Sequence, residues 1–247
     1  MSHIKQIIKT FTLGTIFSLT IACTSTPQNE IYRENPDQRL DKLMVLYELA
    51  QSRGEGCHEI WRANNATVDC QRILNEIEKL YLEFPNHERV LLSNAIINFE
   101  MNKSDDAEWF LDQLALFQRA NPEAAILRAE IAIRSGNLKF ADSLIERQIL
   151  LQPSDSGLRE VKASIAYLNN DFEASRKELS VAGRLGAPSW RLAYHHGLVS
   201  ESQVQWGQAC KFYQAALDQK PDFQAALSRL IGLIDNIDCA DAIEYIR

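Results

Sequence analysis

Two consecutive stretches of equal length decide the fold of this chain: PEAAILRAEIAIRSGNLKFADSLIERQILLQPSD at residues 122–155 and SGLREVKASIAYLNNDFEASRKELSVAGRLGAPS at residues 156–189. Each is 34 residues long and contains two runs of apolar residues at helical spacing, separated by a short polar turn. The same register extends to residues 88–121 and 190–223. A fixed period of this length is typical of stacked helical hairpins, in which each repeat packs on its neighbours.

Small residues recur at two positions of this period. The eighth position carries Ala95, Ala129, Ala163 and Gly197, and the twentieth carries Ala107, Ala141, Ser175 and Ala209. The twenty-fourth carries the larger residues Leu111, Ile145, Leu179 and Tyr213. Two antiparallel helices can approach closely only where the facing residues lack bulk. The pattern therefore predicts a close helix crossing in every repeat, filled by one larger side chain a turn away.

This register resembles the tetratricopeptide repeat (TPR) over residues 88–221, without any insertion. Pro85, Pro153 and Pro221 stand where such repeats end their second helix. Asn94 and Arg128 occupy a position at which the family prefers Leu. The resemblance implies an all-α fold, a right-handed TPR-like solenoid of helical hairpins. The alternative is an irregular helical bundle, in which no fixed period is expected.

The flanking segments are less regular. Residues 37–53 predict an N-terminal capping helix whose apolar face consists of Leu40, Leu43, Met44, Tyr47 and Ala50. Residues 54–247 form the predicted solenoid, with the clearest repeats at residues 88–121, 122–155, 156–189 and 190–223. The terminal repeats of such stacks are expected to be atypical.

The N-terminus predicts export from the cytoplasm. Residues 1–22 carry two basic residues near their start, Lys5 and Lys9. An apolar run follows that is too short to span a bilayer. The run ends in small residues before Cys23, which resembles the bacterial lipoprotein signal peptide, in which this Cys becomes the acylated first residue. A plain secretory signal with a coincidental Cys is the alternative.

The lipoprotein resemblance also implies an address. Thr24 follows the Cys where inner-membrane lipoproteins of enteric bacteria carry Asp, so the expected location is the outer membrane, facing the periplasm. Fatty acyl chains such as palmitate would anchor the protein, since each buried methylene contributes about 0.8 kcal/mol. Residues 23–36, the acylated Cys and a polar segment, form a predicted flexible tether, in which residues 24–36 reach at most about 45 Å.

The remaining cysteines are even in number: Cys57, Cys70, Cys210 and Cys239. Four cysteines in an oxidising compartment predict disulfide bonds, and three pairings are possible. Proximity along the chain favours Cys57–Cys70 and Cys210–Cys239. Free buried thiols are the alternative. No Cys-x-x-Cys pair is present, so no metal site is predicted.

In the TPR family, five positions of each first helix line a concave groove that receives peptides. The resemblance places the following apolar and aromatic residues in that groove: Leu92, Ile96, Phe99, Ile126, Ile133, Tyr167, Leu168, Tyr194 and Leu198. The same positions carry the polar residues Glu130, Arg134, Glu160, Ser164, Arg191 and Glu201. An extended or helical apolar segment of a partner would suit such a groove. Alternatively, several of these side chains pack only against the neighbouring repeat.

Composition and motifs exclude several classes of function. With 33 acidic and 26 basic residues, the chain offers no broad basic surface for nucleic acid. It lacks a Gly-rich phosphate loop, a Gly-x-Ser-x-Gly motif and a His-Glu-x-x-His motif, so we expect no cofactor and no catalysis. His195 and His196 point about 100° apart on a helix, so one is expected to face the groove and the other the core.

The sequence therefore favours an adaptor anchored in the outer membrane, which binds another envelope protein and assembles or regulates a complex. Pilus or secretion machinery and cell-wall machinery are equally compatible with this resemblance. A periplasmic carrier or chaperone for exported proteins or polysaccharide is the alternative, because a flexible apolar groove can hold many ligands weakly. The oligomeric state stays open at this point.

Overall fold

The computed structural model describes residues 35–52, 70–233 and 239. The chain divides into two units, Met1–Asn35 and Pro36–Arg247. The predicted signal peptide, Cys23 and Cys57 lie outside the described residues, as does nearly all of the predicted tether. Among the described residues, no helix has both the length and the apolar character needed to cross a membrane.

The described residues form helices and no strands, as the periodicity predicts. The helices are α1 (Pro36–Ser52), α2 (Cys70–Glu83), α3 (Glu88–Glu100), α4 (Ser104–Ala115), α5 (Pro122–Arg134), α6 (Leu138–Leu151), α7 (Ser156–Leu168), α8 (Phe172–Arg184), α9 (Ser189–Ser202), α10 (Trp206–Gln219) and α11 (Gln224–Leu233). Helices α3 to α10 form four hairpins, and each first helix packs most extensively on its own second helix.

The close crossing occurs in every hairpin. All eight small residues at positions eight and twenty are buried, and Ala95, Ala129, Ala107, Ala141 and Ala209 have no exposed surface. The larger residues at position twenty-four are buried beside them, with exposed fractions between 0% and 3%. Small residues thus let the two backbones approach, and one larger side chain fills the remaining space.

The fourth hairpin shows how strict this fit is. Gly197 replaces alanine at position eight, and the larger Tyr213 replaces the aliphatic residue at position twenty-four. A Cβ atom on Gly197 would lie 2.7 Å from Cδ1 of the Tyr213 ring, closer than a real Cβ contact. Tyr213 is fully buried, and its hydroxyl donates a hydrogen bond to Glu201. The glycine is therefore required by the size of the tyrosine.

Neighbouring hairpins meet through charged side chains at position seven, where the TPR family prefers Leu. Each cation reaches back to the second helix of the preceding repeat and contacts two carboxylates there: Arg128 binds Glu108 at 2.9 Å and Asp112 at 3.2 Å, and Lys162 binds Asp142 at 2.6 Å and Glu146 at 2.8 Å. The carboxylates occupy equivalent positions in their repeats. Paired charges thus take the place of an apolar contact at these two interfaces.

The N-terminal end is covered by α1. Leu40 and Tyr47 are buried in a cluster with Ile73 and Ile77 of α2, and Leu43 and Met44 pack against its edge. Arg89 of α3 fastens the helix through ion pairs of 2.6 Å with Asp37 and Asp41 of α1. The predicted capping helix is therefore present, and it begins one residue before the predicted start.

A disulfide bond between Cys210 and Cys239 holds the C-terminal end. Their Cα atoms are 5.8 Å apart, and both cysteines are buried in one cluster with Leu230 and Leu233 of α11. This is one of the two bonds that proximity along the chain favours. The side chain of Cys70 is not among those described, so the predicted Cys57–Cys70 bond stays a prediction.

We predict that Gly197→Ala lowers the free energy of unfolding by about 1–2 kcal/mol, because the added methyl group displaces the Tyr213 ring. The effect is to be measured by urea unfolding. Gly232→Ala is the matched control, since a Cβ there meets nothing within 4 Å and the helix gains about 0.5–1 kcal/mol. In a Tyr213→Leu background, Gly197→Ala is expected to cost nothing. An equal cost in both backgrounds would contradict the packing argument.

Candidate interaction surface

The first helices α3, α5, α7 and α9 present a surface that we call the first-helix face. Along it α5 contacts α7 and α7 contacts α9, so side chains from successive repeats come together. Of the nine apolar and aromatic residues predicted for the groove, Leu168 is exposed and the other eight are half-buried. Six of these pack against core clusters: Leu92, Phe99, Ile126, Ile133, Tyr194 and Leu198. Each of these side chains packs against the core and also exposes part of its surface to solvent.

A cavity of about 220 Å³, which we call the central cavity, lies in the middle of this face. Its lining comes from three first helices: Ile126 of α5, Gly157, Glu160, Val161 and Ser164 of α7, and Arg191 and His195 of α9. Gly157 keeps the cavity open, since a Cβ there would lie 2.9 Å from Cδ1 of Ile126. Apolar walls with a few convergent polar groups are typical of binding sites.

The polar groups of the central cavity are held in place by an ion pair. Arg191 of α9 donates to Glu160 of α7 at 2.7 Å, and Glu160 is only 7% exposed. Burial raises the pKa of the Glu160 carboxyl above its usual value, and the Arg191 guanidinium opposes that shift. Nε of Arg191 is buried and has no hydrogen-bond partner within the described part of the chain. The pair therefore leaves one donor unsatisfied beside the cavity.

His195 lines the same cavity as a neutral imidazole. Burial is the main cause that lowers its pKa to about 4, with further contributions from Arg191 and His196. At neutral pH one ring nitrogen is thus a donor and the other an acceptor. Together, Glu160, Arg191 and His195 can accept and donate hydrogen bonds to a peptide backbone or a polar side chain.

The expectation that one of the two histidines enters the core is wrong. His196 is half-buried and stacks on Phe212 with ring centroids 5.3 Å apart. It lines a separate cavity with Arg176 of α8, and burial together with Arg176 lowers its pKa. The space that a core side chain would need is taken by the close crossing of α9 and α10 at Gly197.

Aromatic side chains lie on both sides of the central cavity. Toward the C-terminus, Tyr194 contacts Phe223 with ring centroids 5.0 Å apart, and Trp190 contacts the same ring at 4.8 Å. Toward the N-terminus, the Arg134 guanidinium lies 4.4 Å from the centre of the Phe99 ring and pairs with Glu130 at 2.8 Å. The hydroxyl groups of Tyr167 and Ser202 form a hydrogen bond of 2.9 Å. The face is therefore apolar and aromatic, with its charges paired.

Sequence reasoning named four of the seven residues that line the central cavity and missed Gly157, Val161 and His195. The family register places Ile126, Glu160, Ser164 and Arg191 at groove positions, and all four line the central cavity. His195 stands at position six, outside the five groove positions, so the register could not find it. Within the described residues, no group of three or more side chains could hold a metal ion.

Solved structures resemble this chain over most of its length. A thermophilic TPR protein from Thermus thermophilus matches with a TM-score of 0.65 and 15% identity, over 81% of this chain and 99% of that one. A TPR protein from Parabacteroides merdae matches with a TM-score of 0.63 and 16% identity, over 83% and 73%. The fold is that of a TPR protein.

A third structure of this fold is a chain of the APC/C hetero-tetramer Cut9–Hcn1, with a TM-score of 0.58 and 12% identity over 85% of this chain and 46% of that one. No family model and no curated protein matches the sequence. The likenesses confirm the predicted fold class, a right-handed TPR solenoid with an N-terminal capping helix. At such low identity they concern the fold alone.

The lowered pKa of His195 predicts a dependence of stability on pH. The pKa of His195 is about 4 in the folded chain and has an ordinary value of 6.5 in the unfolded chain. Between these two pH values the imidazole is protonated in the unfolded chain and neutral in the folded chain. Stability is therefore lost as the pH falls. Between pH 7.5 and pH 5, we expect His195→Gln to gain about 2 kcal/mol relative to the wild type, measured by urea unfolding at both pH values. Parallel losses in the two proteins would contradict the burial of His195.

Proposed function

We propose that this chain is an adaptor of the bacterial envelope, a lipoprotein held in the outer membrane through acylated Cys23. Its TPR solenoid binds a segment of another envelope protein on the first-helix face, and so helps to assemble or regulate a complex. Pilus or secretion machinery and cell-wall machinery are the two settings we consider. The role is one of binding, without catalysis.

The central cavity is the observation that carries this proposal. It joins three repeats, and its walls offer Ile126 and Val161 for an apolar side chain. The unsatisfied Nε of Arg191 and the neutral imidazole of His195 suit a carbonyl oxygen or a polar side chain beside that anchor. A partner segment in extended conformation presents this combination of side chain and backbone.

Two further considerations support a protein partner. The repeats place the site on packed helices, which keep a binding surface in a fixed geometry. A structural neighbour with the same fold is itself part of a hetero-tetramer, the APC/C assembly Cut9–Hcn1. A surface that is apolar and aromatic, with an arginine at its centre, also has the residue types that contribute most to protein interfaces.

The location is proposed from the N-terminal sequence. The short apolar run before Cys23 supports lipidation, and Thr24 supports the outer membrane. The disulfide between Cys210 and Cys239 is compatible with an oxidising compartment. Lipidation at this residue requires its thiol, so Cys23→Ala is expected to move the protein from the outer-membrane fraction to another fraction. If the variant still fractionates with the outer membrane, the lipoprotein assignment is wrong.

Photo-crosslinking in cells tests the binding surface. A photo-reactive residue replaces Ser164 or Tyr194 on the first-helix face, and in the matched control it replaces Leu150, which is 82% exposed on α6. We expect one dominant envelope protein to be captured at Ser164 and Tyr194 and not at Leu150. Gly157→Val, which fills the central cavity, is expected to abolish that adduct while circular dichroism shows an unchanged helix content.

The other outcomes are equally informative. Many different exported proteins at Ser164 would favour a carrier or chaperone over an adaptor. Equal capture at Ser164 and Leu150, or capture at Leu150 alone, would contradict the first-helix face as the binding surface. Capture that persists in Gly157→Val would show that the central cavity is not the anchor.

A further inference from the structure

A second cavity lies on the other side of α5, between the second helices α4 and α6. Its volume is about 230 Å³, and we call it the arginine cavity. Its lining includes the apolar side chains of Leu111, Leu114 and Leu144 and three arginines, Arg119, Arg128 and Arg147. Ile126, which lines the central cavity, points about 200° away from Arg128 on α5. The two cavities are therefore separate sites.

The charge of the arginine cavity is unusual in this molecule. The chain has an excess of acidic residues, 33 against 26, yet three arginines line this cavity. Asp112 is the one carboxylate in the lining among the described residues. Arg119 pairs at 2.8 Å with Glu88 outside the cavity but stays 72% exposed. Arg147 is exposed and makes no ion pair or hydrogen bond within the described part of the chain. The cavity is thus ready to accept a negatively charged group.

Arg128 shows that the cavity is built around its arginines. Its guanidinium lies 4.9 Å from the centre of the Phe140 ring and binds Glu108 and Asp112. These contacts leave the side chain only 17% exposed and hold its guanidinium in a fixed position. Phe140 itself is 36% exposed, so a large apolar surface remains open beside the cations. An apolar group and an anion can therefore be bound side by side.

We propose that the arginine cavity is a second docking site, which binds a partner protein segment carrying an apolar side chain flanked by carboxylates. Its volume is below the roughly 300–1,000 Å³ of sites for whole small molecules, and it suits one or two side chains of a peptide. Guanidinium groups recognise carboxylates through paired hydrogen bonds. This site does not depend on the proposed function of the first-helix face.

The preceding interface along the chain, between α2 and α4, also contains a cavity between second helices, with the opposite charge. There Tyr81, Trp109 and Phe110 line a cavity of about 360 Å³ together with the carboxylates of Glu78 and Asp106. Trp109 packs edge-on against Tyr81 and Phe110 and is 45% exposed. We call it the aromatic cavity, and its carboxylates would repel an acidic segment. It therefore serves as a control within the same molecule.

The test uses two defined peptides and the full-length protein labelled with ¹⁵N. The probes are acetyl-Asp-Leu-Glu-Phe-Asp-amide and its basic counterpart acetyl-Lys-Leu-Lys-Phe-Lys-amide, titrated separately by NMR. The acidic peptide is expected to shift the amide signals of Phe140 and Leu144 and to bind at least fivefold more tightly than the basic one. Arg147→Glu is expected to weaken that binding about fivefold or more. Arg184→Glu, at an exposed arginine of α8, is the matched control and is expected to change nothing.

Several results would overturn the proposal. These are equal affinity for the two peptides, no binding of either, or an Arg147→Glu affinity equal to that of the wild type. Signals that shift around Ile126 and His195 would place the acidic peptide in the central cavity, and signals that shift around Trp109 would place it in the aromatic one. If Arg147→Glu fails to fold, Arg119→Glu tests the same rim from the loop before α5.

Discussion

The close approach of two helices at a pair of small residues is the constraint on which this structure depends. In each of the four hairpins a small residue at position eight faces the second helix, and a small residue at position twenty faces the first. Any larger side chain would separate the two backbones and move the next repeat with them. In the fourth hairpin the residue at position twenty-four is the larger Tyr213, and position eight carries Gly197, which lacks the methyl group of the alanines in the other hairpins. The combined volume of the facing side chains is therefore what the crossing limits. The regular stack, and with it the position of every first helix, follows from this fit.

The contacts between repeats follow a different rule. Asn94, Arg128, Lys162 and His196 occupy the same position of the period, and none of them is apolar. Two of them bind pairs of carboxylates on the preceding second helix, while Asn94 donates to the backbone carbonyl oxygen of Val90 at 2.9 Å. Exposed ion pairs contribute little to stability, but partly buried cations with two partners fix geometry. Apolar clusters thus extend from one repeat into the next, and the charged pairs add polar contacts that fix how two of the repeats follow one another.

Much of the fold could be predicted from the sequence, because the period determines which residues face each other. The capping helix, the four hairpins and the burial of the small residues all follow from spacing alone. The turns follow in part: Asn102, Gly136 and Asn170 adopt the positive φ angles that suit such residues, but Val204 adopts φ 61° at the equivalent position without any sequence signal for it.

The two cavities show where prediction from the sequence ends. The register identifies candidate groove positions, but it cannot tell that Gly157 opens a cavity or that His195 turns toward it. The arginine cavity is built from Arg119 of a loop, Arg128 of α5 and Arg147 of α6, whose separations along the chain match no period. Only the stacking of three elements brings these side chains together. Sites made by contacts between repeats therefore require the structure, whereas contacts within repeats do not.

The most direct test of the repeat register removes one whole period from the middle of the chain. Deleting residues 163–196 joins Lys162 to Gly197 and leaves the remaining small residues at their crossing positions, so the shortened chain is expected to stay helical and to unfold cooperatively in urea. Deleting residues 163–198, two residues more, rotates the rest of that helix by about 200° and removes the crossing. This second chain is expected to lose cooperative unfolding. If both deletions fold equally well, or if neither folds, the register does not govern the structure.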